Sequence, residues 1–476
     1  MIRSPSPAIA VTALLALSAC NLAPRYQRPS ATIPPSFKEA PGWRGAAPAD
    51  AVAKGQWWLL FGDPVLNDLE GRVVNANQDV AAAVAAYDQA RAAVREVRAS
   101  LFPVIDLSTG ATRAGSFGAG RPTIIGGNTV NVSSGSRRYS ASIGATWEPD
   151  LFGRLRNAVS QQGALAQASQ ADLANVTLAA QGELALNYVQ LRGIELRKAI
   201  LDTTVKAYQR ALTITTNRYN QGVIARVDVL QAQSQLDSAR ANAADLVRQR
   251  AVLEHAIAVL VGESPSIFTL PEVAQAPKSI PDVPPTLPSA VLERRPDVAA
   301  AERRVAAANA AIGIERAAFF PVFGLSGDIG TQTGRLGDLF TASSSIWSLG
   351  LSGALTLLDF GARSARVEQA RAAYAQTAAN YRQTALTAFQ QVEDALAANR
   401  ILAYVETQRA SAAASANRVE ALTQNQYLAG QIAYSDVIVA QTTALTAREA
   451  EVQALVDRQV SAVNLIQAIG GSWPAS

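Results

Sequence analysis

Residues that commonly carry catalysis or bind metals are scarce in this chain. Its 476 residues contain a single His, His255, and a single Cys, Cys20. Metal centres and Cys–His nucleophile pairs need several such side chains at suitable spacing. His255 falls in a segment with a helical pattern, so we expect it to be a packing or surface residue. Carboxylate pairs could form anywhere, but no pattern places them in a pocket. We therefore predict a non-enzyme with no cofactor and no metal.

The first residues of the chain have the pattern of a secretion signal. Arg3 precedes an apolar stretch that ends in Leu-Ser-Ala-Cys20. This ending resembles a bacterial lipobox, in which the Cys is acylated and becomes the first residue of the mature protein. Asn21, which is not Asp, then favours sorting to the outer membrane. We predict lipidation at Cys20; the alternative is an ordinary signal peptide that ends near a free Cys.

Two carboxylates, Asp228 and Asp436, occur in segments that repeat each other 208 residues apart. Each segment has Tyr-x-x-Gly, then Ile-Ala, then Asp, and the matched residues are Tyr219 and Tyr427, Gly222 and Gly430, Asp228 and Asp436. The same offset relates Phe152-Gly153 to Phe360-Gly361, and Leu101–Val104 matches Phe319–Val322 at an offset of 218. Self-similarity of this kind predicts an internal duplication.

The duplication and the proline-rich stretches divide the chain into six parts. We predict a signal peptide over 1–19, an acylated extended segment over 20–64, a first repeat over 65–264, a proline-rich linker over 265–288, a second repeat over 289–470 and a tail over 471–476.

Each repeat contains two runs of about ten residues in which apolar and small polar side chains alternate, the pattern of strands with one apolar face. The runs lie around Ile105, Ile143, Leu325 and Leu351, and the last extends to Leu357. Runs of this length cross a bilayer when tilted. Aromatic residues at their ends suit the membrane interface, although a soluble sandwich would look similar. These aromatic residues are Phe102, Tyr139, Trp147, Phe319, Phe320 and Trp347.

Long helical patterns follow the strands, rich in Ala, Gln, Arg and Leu and free of internal Pro. We predict two helices over Gly153–Asn220 and Gly361–Leu428, each about 100 Å long at about 1.5 Å per residue. Four shorter helices are predicted over Val65–Ser100, Arg226–Val261, Ser289–Ala318 and Ser435–Ile469.

Four strands cannot close a barrel, and open sheet edges are not tolerated in hydrocarbon. Two chains would supply eight strands, whose interior side chains fill, whereas three chains would supply twelve and leave a pore. The fold class is therefore a mixed α and β membrane protein, a trimeric 12-stranded transmembrane β-barrel continued by a long α-helical barrel. Its polar side, with Ser108, Ser142, Ser326 and Ser352, is expected to face water.

Several motifs together resemble one known family. They are Trp57-Trp58 with Phe61-Gly-Asp63-Pro64, Arg294-Arg295-Pro296-Asp297, Ala317-Ala318-Phe319-Phe320-Pro321, Asp359-Phe360-Gly361 and the paired Tyr-x-x-Gly turns. Their order is similar to that of the TolC-like outer membrane factors, in the lipoprotein branch that resembles OprM and NodT, over nearly the whole mature chain.

This resemblance implies a homotrimer in the outer membrane that extends into the periplasm. It implies docking, through a periplasmic membrane-fusion adaptor, to an inner-membrane transporter of the resistance-nodulation-division type. The protein would be the passive gated conduit of a tripartite efflux pump that exports drugs or other small molecules. The alternative is the duct of an ABC-linked or major-facilitator-linked export system.

The resemblance also implies a periplasmic gate at the two repeated turns. Tyr427 and Asp228 match positions that hold adjacent helix pairs together, and Asp436 matches a position whose three copies narrow the pore. Ile432 replaces an Arg of some relatives, and Val439 stands where a second Asp ring occurs. The alternative is that Asp228 and Asp436 cap the helices after each turn.

Two other classes of protein fit the sequence less well. A net charge of +4 with no basic run excludes a nucleic-acid partner. A trimeric surface adhesin would explain helices and strands, but not their duplication or the paired turns.

Overall fold

The computed structural model describes residues 22–30, 37–39, 56–115, 122–125, 128–131, 136–273, 280 and 295–471. The described residues fall into two compact units. The strand unit includes Asp88–Gln167 and Arg303–Ala379, and the helical unit includes Pro29–Tyr87, Ala168–Glu302 and Asn380–Ser476. No helix within the described ranges is both long enough and apolar enough to cross a membrane. The predicted signal peptide, Cys20 and most of the predicted linker lie outside these ranges.

The strand unit contains an antiparallel four-stranded sheet. Its order is β1-β4-β5-β6, formed by β1 (Val104–Ala114), β4 (Ser136–Trp147), β5 (Val322–Thr333) and β6 (Ser345–Ala354). A separate hairpin of β2 (Pro122–Ile125) and β3 (Asn128–Asn131) was not predicted. The expected extent of the last strand was wrong, because β6 ends at Ala354 although apolar alternation runs on to Leu357.

The register of this sheet separates polar from apolar side chains. Ser108 pairs with Ser142, Ser326 with Gly350, and Gly324 with Ser352, so the four predicted serines share one face. The opposite face carries large exposed apolar side chains. They include Ile105, Leu107, Ile143, Ile329, Trp347, Leu349 and Leu351. Both outer strands, β1 and β6, have one unpaired edge within the described chain.

Aromatic residues gather where the sheet meets the helices. Trp147 donates its indole N–H to the carbonyl oxygen of Leu101 at 3.0 Å. Phe152 and Phe320 stack with ring centroids 4.8 Å apart, and the guanidinium of Arg363 lies 5.2 Å from the ring centroid of Phe319. These contacts place Trp147, Phe319 and Phe320 at the helix end of the strands. Tyr139 lies near the opposite end of β4, and Trp347 pairs with Ile329 in the middle of the sheet.

Four of the helices form two pairs of equal length. Two have 67 residues, α3 (Arg154–Asn220) and α6 (Ala362–Leu428), and two have 35, α4 (Arg226–Leu260) and α7 (Tyr434–Ala468). The predicted boundaries agree with these within one or two residues. A further helix, α5 (Pro296–Ala317), begins with a Pro, which fits the first helical position because its missing N–H has no partner there.

The prediction of one continuous helix over Val65–Ser100 was wrong. The structure has α1 (Pro64–Ala76) and α2 (Gln78–Ala99), separated by Asn77 in an extended conformation. The side-chain oxygen of Asn77 accepts hydrogen bonds from the backbone N–H groups of Asp79 and Val80, and its amide donates to the carbonyl oxygen of Leu260. An Asn that satisfies free N–H groups at a helix start ends one helix and begins the next.

The core of the helical unit follows the predicted helical spacing. Leu184, Tyr188 and Leu191 recur at three and four residues on α3 and are buried. Leu66, Leu69 and Val73 form the buried face of α1, whose first turn is capped by Asp63 through a 2.9 Å hydrogen bond from the N–H of Val65.

Candidate functional site

Two five-residue turns join the long helices to the shorter ones and have the same backbone. Gly222 and Gly430 each have a φ of 73°, which favours glycine because a Cβ would be strained there. The N–H of Val223 donates to the carbonyl oxygen of Arg218 at 2.9 Å, and the N–H of Gln431 donates to that of Gln426 at 3.0 Å. These bonds close both long helices with the same left-handed ending.

Side chains fill the second turn with an aromatic cluster, which we call the tyrosine cluster. It consists of Ala232, Tyr427, Tyr434 and Val437, with Leu212, Ile432 and Ile438 packed against it. The rings of Tyr427 and Tyr434 lie 5.3 Å apart, and the guanidinium of Arg218 lies 4.9 Å from the ring centroid of Tyr427. The cluster joins the ends of α3, α4, α6 and α7.

The hydroxyl groups of this cluster are in an apolar environment. Burial raises the pKa of Tyr434 to about 12, and nearby Tyr427, Tyr208 and Asp228 act in the same direction. The hydroxyl of Tyr427 is buried and has no hydrogen-bond partner among the described residues. A buried hydroxyl without a partner costs about 1–3 kcal/mol, so an acceptor outside the single chain would stabilise it.

The two predicted aspartates lie in the first turns of α4 and α7. Ala225 and Ala433 are the cap residues of these helices, and neither receives a side-chain capping bond, so the capping alternative was wrong. Asp228 is half-buried and Asp436 is exposed. No described side chain forms a hydrogen bond or ion pair with either carboxylate. Both carboxylates can therefore bind a neighbouring chain. Each also stabilises its own helix, because a negative charge in the first turn interacts favourably with the positive end of the helix dipole.

The two departures from the family pattern have different environments. Ile432 is half-buried against the tyrosine cluster, where it contributes apolar contact. Val439 is 66% exposed on α7. The single chain therefore uses Ile432 for packing and leaves Val439 exposed.

A buried ionic network beside α3 and α4 was missed by sequence reasoning. Glu195 accepts hydrogen bonds from Arg192 at 2.7 Å and from Arg250 at 2.9 Å. These arginines also donate to the carbonyl oxygens of Pro271 and Leu270 at 3.0 and 2.7 Å. The network fastens the start of the predicted linker to the two helices. Arg192 and Glu195 are three residues apart on α3, but Arg250 reaches Glu195 from 55 residues away, so no local pattern indicates the whole network.

A second buried carboxyl, Glu70, could have been found from helical spacing. It follows Leu66 by four residues and precedes Val73 by three, which places it on the buried face of α1. Burial raises its pKa to about 9, and neither oxygen has a hydrogen-bond partner among the described residues. Glu70 is therefore neutral at neutral pH.

The described residues contain no group of His, Cys, Asp and Glu that could hold a metal ion. What the geometry provides is a two-faced sheet and a pair of helix-end turns with free carboxylates. A family model for outer membrane efflux proteins matches residues 71–263 and 287–471. The chain belongs to the outer membrane efflux protein family. The predicted resemblance is confirmed.

Individual relatives agree with this assignment over nearly the full chain. The outer membrane protein OprJ of Pseudomonas aeruginosa is 30% identical over 474 residues, covering 98% of this chain and 96% of the relative. The probable outer membrane lipoprotein SilC of Salmonella typhimurium is 27% identical, covering 98% of each. The solved outer-membrane channel OprN superposes with a TM-score of 0.86 at 28% identity, over 95% of this chain and 100% of that one.

This efflux protein is therefore an outer-membrane channel component of an efflux system, as predicted. Its location in the outer membrane is also confirmed. The family consists of channels rather than enzymes, in agreement with the scarcity of catalytic side chains. The mostly helical architecture with a four-stranded sheet is the fold shared with the solved channel.

Proposed function

We propose that three copies of this chain close one twelve-stranded barrel and form a conduit through the outer membrane. One observation carries the proposal, a sheet with an exposed apolar face, an opposite face of Ser, Gly and Asp, and two unpaired edges. Pairing β1 of one copy with β6 of the next removes every edge, as hydrocarbon requires. The apolar face then contacts lipid and the polar face lines a water-filled pore.

Conductance in a planar lipid bilayer tests this proposal. Each insertion of the purified full-length protein into the bilayer should produce a discrete step in the current. Asp328→Leu on the polar face should lower the conductance, whereas Leu349→Ala on the apolar face should leave it within about twofold. A protein that inserts but carries no current, in the wild type and in gate variants alike, would contradict the conduit.

The gate proposal rests on the two turns. Among the described residues the Tyr427 hydroxyl lacks an acceptor and the carboxylates of Asp228 and Asp436 lack donors. In a trimer, Asp228 of one helix pair is a suitable acceptor for Tyr427 of the adjacent pair. The exposed Asp436 would form a ring of three carboxylates whose repulsion changes with pore width.

Charge-neutral variants test the two parts of the gate separately. Tyr427→Phe and Asp228→Ala should each raise single-channel conductance, and the double variant should add little, because both remove the same bond. Asp436→Asn should lower the preference for cations. Independent, additive effects of Tyr427 and Asp228 would refute the shared bond.

The proposed duplication is supported by equal helices and by matched glycines. Gly153 and Gly361, Gly222 and Gly430, and Gly262 and Gly470 lie 208 residues apart in pairs, and all six have positive φ. Because the 67- and 35-residue helices also recur in the same order, each half supplies the same set of elements to the barrel. The proposed boundaries are those of the six predicted parts.

We place the conduit in a tripartite pump that exports drugs or other small molecules, with a periplasmic adaptor and a resistance-nodulation-division transporter. Deletion should sensitise the cell to dyes, detergents and antibiotics. Co-purification from crosslinked membranes should identify the transporter, and recovery of an ABC or major-facilitator protein instead would favour the alternative system. Acylation at Cys20 is tested by mass spectrometry of the mature N-terminus, with Cys20→Ala as the control.

A further inference from the structure

Two arginines face each other across neighbouring strands at the end of the sheet farthest from the helices. Arg113 on β1 pairs directly with Arg137 on β4. Both side chains are exposed, and neither forms a hydrogen bond or ion pair with any described residue. Like charges on directly opposite residues destabilise the pairing of two strands, because the Cβ atoms of such residues are only about 5 Å apart. An anion between them would remove this repulsion.

The arginine pair lies on the apolar face of the sheet. The register continues from Arg113 and Arg137 to Ala111 and Tyr139, and then to the rows that hold Leu107 and Ile105. Among the described strand residues of this face, the two arginines are the charged ones, and the next row toward the helices contains Tyr139. The order along the face is therefore apolar, then aromatic, then basic.

The height of the pair matches one boundary of a membrane. Arg137 lies ten residues from Trp147 on the same strand and the same face. Ten residues span about 33 Å along a strand, or about 25 Å along the membrane normal at a tilt of about 40°. An apolar band of about 25 Å is the height that barrels bury in hydrocarbon. Trp147 then marks the boundary near the helices, and the arginine pair marks the opposite one.

We infer that Arg113 and Arg137 form a binding site for a phosphate group of a lipid in the outer leaflet of the outer membrane. The inference rests on the proposed barrel, which places this face against lipid and this end toward the cell exterior. Guanidinium groups bind phosphate oxygens through pairs of parallel hydrogen bonds. Two guanidinium groups on adjacent strands can each form such a pair of hydrogen bonds with a phosphate that lies between them. Tyr139 lies in the row next to the arginine pair, at a level where aromatic residues are favoured.

A phosphorylated lipid is the occupant that fits best. Its phosphates sit directly above its acyl chains, as the arginine pair sits directly beyond the apolar rows. A free phosphate ion would not need the apolar rows, and a lipid without phosphate would leave the two charges opposed.

Binding measurements on the purified full chain test the inference. The probes are diphosphoryl lipid A, the same lipid with both phosphates removed, and inorganic phosphate. Wild-type protein should bind the diphosphoryl lipid at least about tenfold more tightly than the dephosphorylated lipid, the effect of one or two charge-assisted hydrogen bonds. The variant with Arg113→Gln and Arg137→Gln should lose this preference.

Arg138 provides a matched control, because it neighbours Arg137 in sequence, is equally exposed, and lies on the polar face. Arg138→Gln should keep the preference for the phosphorylated lipid within about twofold. Equal losses in Arg138→Gln and in the double variant would refute the site, because general positive charge would then explain binding. Equal affinity for inorganic phosphate and for the lipid would refute a lipid ligand.

The same samples separate this inference from the proposed function. The double variant should retain the oligomeric mass and the conductance of the wild type, since neither arginine lies on the polar face. If the wild type conducts but shows no preference for the phosphorylated lipid, only the lipid site is refuted. If the wild type neither assembles nor conducts, the barrel proposal fails on its own measurement.

Discussion

The two turns between long and short helices have the same backbone but opposite side-chain environments. Tyr219 in the first turn is 41% exposed, whereas Tyr427 at the matched position of the second is 5% exposed. The helix after the first turn begins with exposed Arg226, and the helix after the second begins with buried Tyr434. Repetition of Tyr-x-x-Gly determines the turn, and the residues around it determine which tyrosine is buried.

Because of this difference, more apolar side chains are packed at the second turn than at the first. In the second turn Tyr427, Tyr434 and Ile432 belong to one cluster, while Val223 in the first turn is 60% exposed. The first turn is therefore free to contact another copy or partner, and the second is a fixed support. If the gate opens by moving a helix pair, the account requires that the first turn move more easily than the second.

Truncation of the matched tyrosines should have the largest and most unequal effect. Tyr427→Ala removes a buried ring, a change that typically costs about 3–5 kcal/mol, so amide hydrogen exchange around Gly430 should accelerate at least about a hundredfold. Tyr219→Ala should change exchange around Gly222 less than about tenfold. Equal effects at the two turns would show that the difference in burial has no energetic meaning.

High pH should loosen the second turn through Tyr434. Its pKa is raised to about 12, so folding favours the neutral phenol over the phenolate. The stabilising contribution is full below about pH 10, the ordinary tyrosine pKa, and is lost as the pH rises toward 12. Subtracting the ultraviolet tyrosinate titration of Tyr434→Phe from that of the wild type should reveal one group that titrates near 12. A group that titrates at its ordinary value would disprove burial of this hydroxyl.

Glycine substitutions should show the smallest effect and, unlike the tyrosine pair, an equal one. Gly222→Ala and Gly430→Ala both force a Cβ into a φ of 73°, at a cost of about 1–2 kcal/mol each. No described atom lies within 4 Å of a Cβ at either site, so packing adds nothing. Hydrogen exchange of the two turns should respond within about threefold of each other. A much larger response at one turn would mean that the backbones are not equivalent.

Periodic features of this protein were predictable and non-local ones were not. Alternation around Ile105, Ile143, Leu325 and Leu351 identified the four strands because a period of two has one structural meaning over ten residues. The break at Asn77 was missed because its local sequence continues a helical pattern and its partner, Leu260, is distant. Burial of Tyr427 was not predicted either, because the motif repeats the same tyrosine at Tyr219 and the local sequence does not indicate which of the two is covered.

The candidate site shows the same division. Gly222 and Gly430 stood out because they recur at the same offset, and the structure shows that both end a long helix with a positive φ. The network of Glu195, Arg192 and Arg250 was not predictable as a whole, since Arg250 reaches Glu195 from a second helix and both arginines donate to carbonyl oxygens of a loop. The predicted helix starts at Arg226 and Ser435 already put Asp228 and Asp436 in first turns. The sequence left open whether these residues cap the helices, and only the backbone reveals that Ala225 and Ala433 are the cap residues.

The number of chains in the channel tests the central claim most directly. Native mass spectrometry of the full-length protein, released from detergent, measures that number without reference to any transported compound. The account predicts three chains, because three four-stranded sheets close a pore of twelve strands. A mass that corresponds to one chain or to two, from protein that still conducts, would contradict it.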